Sequence, residues 1–281
     1  MSRIVYVDGA FVPFEEARIP IMDRGFLFAD GIYEVSAVLD GKLVDNEAHL
    51  ARLERSLSMI RIELPMPLAE IIPIQQQLIE KNNLKEGIVY IEVTRGVAER
   101  EFSFPKGVKP TVVMFTQPKN IIANPNAETG VPVISVPDIR WQRRDVKSVA
   151  LLAQVLAKQE AAEKGAYEAI MVEDGFVTEG GSSSIFIVTK DGKLVTRPLS
   201  NAILPGITRQ TLMKLAAERQ ITIEERLFSL KETEDAAEVF LTSASSFVMP
   251  IVSIDGKKIG EGKPGPLTKR VRDIYFEMAR G

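Results

Sequence analysis

The sequence predicts an α+β chain of two domains, rich in antiparallel hairpins. Three observations carry this reading. Five Asp-Gly pairs, Asp8-Gly9, Asp40-Gly41, Asp174-Gly175, Asp191-Gly192 and Asp255-Gly256, sit between alternating or β-rich runs. Asp-Gly so placed is the strongest short-range hairpin signal, because both residues tolerate the positive φ of a tight turn. Amphipathic helical patterns lie between these hairpins. A stretch from Pro118 to Pro132, punctuated by Pro, Asn and Gly, breaks both patterns and marks a domain boundary near residue 120. The expectation is a smaller N-terminal α+β domain over 1–119 and a larger C-terminal domain over 120–281 that carries the chemically interesting lysine.

The elements follow in order. Met1 to Tyr6 reads as the start of a strand without a signal-peptide core, and it opens the hairpin IVYV-DG-AFV. Alternation in Asp23–Glu34 leads into a strand that places Tyr33 on one face, and SAVL-DG-KLV closes a second hairpin. Glu47 to Ile60 puts Leu50, Leu53, Leu57 and Ile60 on one helical face. Pro67 to Asn82 reads as another helix, with Pro73 as a kink. Thr94 to Phe102 is a strand end running into a loop. Ser148 to Lys164 is the clearest helix: it is rich in Ala and Leu, with Ser148 as candidate N-cap and Gly165 as the stop. Thr178 to Ser184 is a glycine-rich turn before the strand Ile185–Val188, and IFIVTK-DG-KLVT is a hairpin. Ile207 to Arg219 and Pro266 to Ala279 complete the helices.

Composition narrows the chemistry. The 281 residues are 45% hydrophobic and 26% charged, with a formal net charge of -3, the profile of an ordinary globular protein. A weakly acidic chain without a basic stretch argues against a nucleic-acid binder, and no apolar run is long enough to span a bilayer. A cytoplasmic protein is expected. There is no Cys and only one His, His49. Thiol nucleophiles and cysteine metal sites are therefore excluded, and no metal is expected. What remains is chemistry resting on Lys, Arg, Glu, Asp, Tyr and Ser, which suits a lysine nucleophile served by a cofactor.

Six segments carry candidate groups. Lys147 stands at the junction into the 148–164 helix, where the positive helix end favours the neutral amine that an imine requires; a lysine there can equally snorkel to solvent. Glu179 and Ser182 to Ser184 place a carboxylate and three hydroxyls on one turn, suited to a protonated pyridine nitrogen and to phosphate or ring oxygens, or to a solvated loop. Gly206, Ile207 and Thr208 open a helix whose N–H groups suit an anion, or form a plain N-terminus capped by Thr208. Arg52 matches phosphate geometry, though its spacing also fits a solvated charged face, and His49 reads as structural. Tyr33 suits a substrate carboxylate or a packed interior. Arg95 and Arg100 suit a carboxylate clamp or surface ion pairs with Glu99 and Glu101.

The order of these motifs resembles a known family. DRGFLFADGIYE, HLARLERS, VTRGVAER, DVKSVALLAQVLAKQEAAEKGAYEAI, VTEGGSSSIF, NAILPGITR and EVFLTSASS together are similar to the fold-type IV aminotransferases over nearly the whole chain, most of all to those acting on D-amino acids. The resemblance implies pyridoxal 5'-phosphate as cofactor and ping-pong transamination between D-amino acids such as D-alanine or D-glutamate and 2-oxo acids. It implies Lys147 as the Schiff-base lysine and Glu179 as partner of the pyridine nitrogen. Arg52, Ile207, Thr208 and Ser243 become phosphate ligands, and Ser183 and Leu204 line the cofactor ring. Tyr33 and Arg100 become the substrate-carboxylate groups. A homodimer is implied too, with the active site between the domains and closed by the partner. One departure stands out: where such D-amino-acid enzymes place a histidine two residues after the arginine, this chain has Phe102. Branched-chain L-amino-acid aminotransferase, aminodeoxychorismate lyase and (R)-amine transaminase share the scaffold and are the alternatives. A binding protein with a dead cofactor site is the alternative from another class, and the presence of Lys147, Glu179 and Arg52 argues against it.

Overall fold

In the computed structural model, which describes residues 2–280, two sheets organise two compact units. The first unit comprises residues up to Asn120 together with Val146–Ala150. Its elements are β1 (Ile4–Val7), β2 (Ala10–Pro13), α1 (Arg24–Phe28), β3 (Gly31–Leu39), β4 (Lys42–Val44), α2 (Asn46–Met59), α3 (Leu68–Lys81), β5 (Gly87–Thr94) and β6 (Thr111–Pro118). The six strands form one antiparallel sheet in the order β2-β1-β6-β5-β3-β4. Leu50, Leu53 and Leu57 of α2 and Ile71 and Leu78 of α3 pack on Ile32, Ile91, Val93 and Met114 from that sheet. The predicted i, i+3, i+7 stripe is thus the buried face, and Pro73 is accommodated inside α3.

The second unit comprises Ile121–Asp145 and Leu151 onward. It contains α4 (Pro125–Thr129), β7 (Val131–Pro137), α5 (Leu152–Glu163), β8 (Glu168–Glu173), β9 (Phe176–Gly180), β10 (Ser184–Val188), β11 (Leu194–Thr196), α6 (Ile207–Glu218), β12 (Ile223–Glu225), α7 (Leu230–Glu234), β13 (Glu238–Ser243), β14 (Phe247–Ile254), β15 (Lys257–Lys258) and α8 (Pro266–Arg280). Eight strands run in the order β12-β11-β10-β13-β14-β7-β8-β9, and β15 pairs with β14. Pairing is parallel where β7 meets β14 and β8 and where β11 meets β12. Val133, Ile170, Ile185, Ile187, Leu241 and Met249 form its core, consistent with strands buried on both faces.

All five Asp-Gly pairs lie in hairpins. In four of them both residues have positive φ, as at Asp8 (45°) and Gly9 (103°), the geometry of a two-residue turn whose twist matches its strands. The fifth, Asp191-Gly192, closes a wider loop in which Thr189 hydrogen-bonds Lys193 and only Gly192 is left-handed.

One expectation is corrected. The helix predicted from Ser148 starts at Leu152, and Ser148 caps nothing. Residues 146–150, assigned from sequence to the second domain, join the first unit instead. Ser148 forms an antiparallel bridge with Ile32, Tyr33 N–H donates to the Lys147 carbonyl at 3.1 Å, and Val149 N–H donates to the Gly31 carbonyl at 3.1 Å. Two main-chain hydrogen bonds thus tie Lys147 and Val149 to β3, and the Ser148 N–H donates to the Val146 carbonyl at 2.9 Å. A first helical turn would have left the Ser148 and Val149 N–H groups without partners.

Candidate active site

Main-chain pairing to β3 fixes the root of Lys147, and its Nζ lies 4.1 Å from the centroid of the Tyr33 ring. The helix-dipole argument for a neutral amine therefore falls away, since α5 begins five residues later. In its place stands an ammonium or amine over an aromatic face. Tyr33 is itself stacked, 5.6 Å from Tyr90, which stacks on Phe115 at 4.7 Å. Burial pushes the Tyr90 hydroxyl far up, so it donates as a neutral group to Glu92 at 2.7 Å.

The next residue on β3 points the other way and was not singled out from sequence. Glu34 has 0% exposure. Its Oε1 accepts from Arg52 Nε at 2.6 Å, its Oε2 accepts from Arg52 Nη2 at 2.9 Å, and His49 Nδ1 lies 2.8 Å from Oε2. His49 and Arg52 are i and i+3 on α2, so one helical face delivers both. Arg52 is thus no member of a solvated charged face; it is 7% exposed. Burial alone would raise the Glu34 carboxyl, but Arg52 and then His49 outweigh it and hold the group at about 2. Burial also holds His49 below its ordinary value, against the pull of Glu34.

The sign for stability follows. Glu34 stabilises the fold above its unfolded value near 4.5, and that contribution is lost as pH falls through about 2. Folding disfavours the protonated form of His49, whereas the unfolded chain takes up a proton below about 6.5. Stability should therefore decline as pH falls from about 7 to 5, and His49→Gln should flatten that decline in thermal melts. Equal slopes in the two proteins would remove His49 as its source.

Of the two candidate clamp arginines, the structure separates the roles. Arg95 is buried and forks Asp30, with Nε to Oδ2 at 2.7 Å and Nη2 to Oδ1 at 2.9 Å. It is committed to the scaffold. Arg100 is exposed, its Cζ 5.4 Å from the Phe28 ring and 5.8 Å from the Phe102 ring. Phe102 is 80% exposed and packs on Phe28.

In the second unit, Glu179 at the end of β9 is buried and accepts from Leu204 N–H with both oxygens, each at 3.2 Å. Arg140 Nη1 also donates to it, and the same guanidinium forks Asp138 through Nε (2.9 Å) and Nη2 (2.6 Å). Burial pushes the Glu179 carboxyl up, and Arg140 pulls it only part of the way back. A carboxylate so placed fits a protonated ring nitrogen, which supplies the positive charge that burial demands. Asp138 and Arg140 were not singled out from sequence; the only signal was their i, i+2 spacing.

The helix start after Gly206 is the better phosphate cradle. No side chain caps α6, and Ile207 and Thr208 are both buried in its first turn, where helix N–H groups lack intrahelical partners. A Cβ on Gly206 would lie 2.7 Å from Ser184 Oγ, so a larger residue there would have to turn that hydroxyl aside. Ser184 is paired with Thr242 across β10 and β13, and the buried Thr242 Oγ1 has no hydrogen-bond partner among the described residues. Ser243, the next residue, is 2.7 Å from Ser246 through their hydroxyls. An orphaned buried hydroxyl and an uncapped helix start are each what a phosphate group would satisfy. Ser183 is placed differently: its hydroxyl donates to the buried Glu168 at 3.4 Å, alongside Lys158 Nζ at 2.9 Å. Among the serines of that turn it is Ser184 that lies against Gly206.

The sequence of this chain matches the amino-transferase class IV family over residues 31–254. The protein belongs to the class IV aminotransferases. It is 39% identical to a D-alanine aminotransferase of Staphylococcus haemolyticus over 96% of both chains. It is 40% identical to a D-alanine aminotransferase of Bacillus licheniformis over 95% of this chain and 94% of that one. Among solved structures, the branched-chain amino acid aminotransferase of Escherichia coli superposes with a TM-score of 0.89 at 26% identity, covering 99% of this chain and 95% of that one. A hypothetical aminotransferase from Mycobacterium tuberculosis in a PLP-bound form shares the fold, with a TM-score of 0.84 at 22% identity over 98% of both chains. This class IV aminotransferase has no group of three or more His, Asp or Glu residues that could hold a metal ion among the described residues. None of its described helices is long and apolar enough to cross a membrane.

Proposed function

We propose that the protein is a pyridoxal-phosphate enzyme that transfers the amino group of D-amino acids to 2-oxo acids. Near full-length identity to two D-alanine aminotransferases supports the substrate class. The single observation that carries the chemistry is Lys147, a lysine pinned by its own backbone to β3 with its amine over Tyr33. When bound, the cofactor supplies a carbonyl that exchanges for the amino group and a ring that accepts electrons.

The chain's own residues would do the rest. Lys147 would hold the cofactor through Nζ and would carry the α-proton of the amino donor. Glu179 keeps the ring nitrogen protonated. Arg52, the Ile207 and Thr208 N–H groups and Ser243 hold the phosphate, with Leu204 and Ser183 lining the ring. Tyr33 and Arg100 bind the substrate carboxylate. Donor amino acid and 2-oxo acid leave as a new 2-oxo acid and a new amino acid, so atoms and charge balance over the two half-reactions.

A homodimer is part of this proposal. Ile21, Phe26 and Phe102 in the first unit and Leu152, Val155 and Leu156 on one face of α5 are all more than half exposed, and large apolar surfaces of this kind are covered by partners. Light scattering should give twice the 31.1 kDa chain mass.

One specific observation favours a second reading. Phe102 stands beside Arg100 where a polar partner would strengthen carboxylate binding, and the branched-chain enzymes share the fold. An absorbance spectrum with separate additions of D-alanine and L-leucine decides between them. Bleaching of a visible band by D-alanine alone supports the proposal, and bleaching by L-leucine alone replaces it with the branched-chain activity. No band even with added pyridoxal phosphate would remove both. Within the first reading, Arg100→Ala should raise the KM for 2-oxo acids about 10- to 100-fold through loss of a bidentate contact, with cofactor affinity unchanged. Equal loss of both would show Arg100 to be misassigned.

A further inference from the structure

Arg100 is carried on an exposed loop, held in part by a bridge between Asp23 and Val97 and by the Ala98 N–H donating to the Met22 carbonyl, and in part by two arginines that share one carboxylate. At the loop's start Arg95 forks Asp30 and donates to the backbone carbonyls of Ile60 (2.8 Å) and Arg61 (3.0 Å). The Phe104 ring covers the Arg95 guanidinium at 3.6 Å. Arg24 reaches the same Asp30 Oδ2 through Nε at 2.8 Å. Its Nη1 donates to the carbonyl of Glu101, the residue next to Arg100, at 2.5 Å, and its backbone N–H donates to the Gly96 carbonyl at 2.9 Å. Arg24 also lies 4.6 Å from the centroid of Phe28, the ring over which the Arg100 guanidinium sits. Arg24 is buried and points away from solvent.

Neutralising Asp30 does not need this arrangement, because Arg95 already forks both of its oxygens. What Arg24 adds is a tie from Asp30 to the peptide beside Arg100 and a contact with the ring beneath it. We propose that Arg24 is a positioning residue that sets where Arg100 meets the substrate carboxylate. This rests on the reading of Arg100 as a carboxylate-binding group. A guanidinium is required because Nε and Nη1 diverge to two acceptors at once; a lysine ammonium in its place is a point donor that reaches one.

The test uses the holoenzyme in its aminated form, reacted with pyruvate or with acetaldehyde, which is the same acceptor without the carboxylate. Arg24→Met removes both links, and Arg24→Lys keeps the charge beside Asp30 while losing the tie to Glu101. In both variants the apparent KM for pyruvate should rise about tenfold, with the limiting rate within about threefold, since a sub-ångström displacement acts on binding geometry. The efficiency with acetaldehyde should stay at the wild-type value. Should Arg24→Met fail to fold, Arg24→Lys alone carries the comparison. An unchanged pyruvate KM in a folded Arg24 variant, with a raised KM in Arg100→Ala, overturns the inference and leaves the role of Arg100 intact. Equal losses with both acceptors also overturn it, by showing a general structural defect. An unchanged KM in Arg100→Ala overturns the underlying reading instead.

Discussion

Lys147→Ala should abolish transamination, with a loss of about 10⁴-fold or more, because covalent attachment and proton transfer both fail with the amine. The fold should survive. The segment 146–150 is held to β3 by main-chain hydrogen bonds that alanine keeps. The side chain's contact with the Tyr33 ring is worth only about 0.5–1 kcal/mol. The thermal midpoint of the variant without cofactor should therefore stay within about 3 °C of wild type. A stopped-assay rate under saturating donor and acceptor, paired with a melting curve, measures both. Retained full activity would remove the core of the mechanism. A collapsed melting curve would instead show that the lysine is structural.

Arg52→Ala should be the most damaging substitution for stability. It strips both guanidinium bonds from a carboxylate with 0% exposure, leaving it with His49 and the Val35 N–H. Breaking a buried pair in this way costs about 3–5 kcal/mol, or roughly 10 °C in midpoint for a chain of this size. The loss should be greatest at neutral pH. Without Arg52, burial raises the Glu34 carboxyl, so the penalty shrinks as pH falls and the group takes up its proton. A paired variant, Arg52→Ala with Glu34→Ala, separates structure from function. It should recover part of the midpoint by removing the buried charge, yet still bind pyridoxal phosphate at least about tenfold more weakly, since a charge-assisted phosphate contact contributes 1.5–3 kcal/mol or roughly that factor. Fluorescence titration of the cofactor-free protein reads that affinity directly. Wild-type affinity in the paired variant would show that Arg52 serves Glu34 alone.

The pairing of Arg52 with Glu34 also shows where the sequence stops being readable. Arg52 stood out for its chemistry and Glu34 did not, though it lies one residue beyond Tyr33 in the same motif. Alternation along β3 put the two on opposite faces, and only the packing of α2 against the sheet revealed what Glu34 faces. Asp30, Asp138 and Arg140 also have near partners, Arg24 and each other, but the contacts that give them their place lie 65 positions away for Asp30–Arg95, 40 for Asp138–Thr178 and 39 for Arg140–Glu179. Ser183 and Ser184 looked interchangeable in a run of three serines, and strand pairing sent one to Glu168 and the other toward Gly206.

What the sequence by itself determined were the features whose energetics are local. An Asp-Gly pair sets its own turn because its φ preference is intrinsic, and all five produced hairpins. The leucine stripe of α2 and the start of α6 at Ile207 were equally legible, since a helix is encoded over a few turns of chain, though the sequence left open whether Thr208 caps that start. The start of α5 was not. Ser148 has the intrinsic preference of an N-cap, worth about 1 kcal/mol. Against it stood two main-chain hydrogen bonds to β3, at Lys147 and Val149, more than a hundred positions away in sequence. The distant strand prevailed because two backbone hydrogen bonds outweigh one cap, and that competition, invisible to any local pattern, is what placed Lys147 over Tyr33.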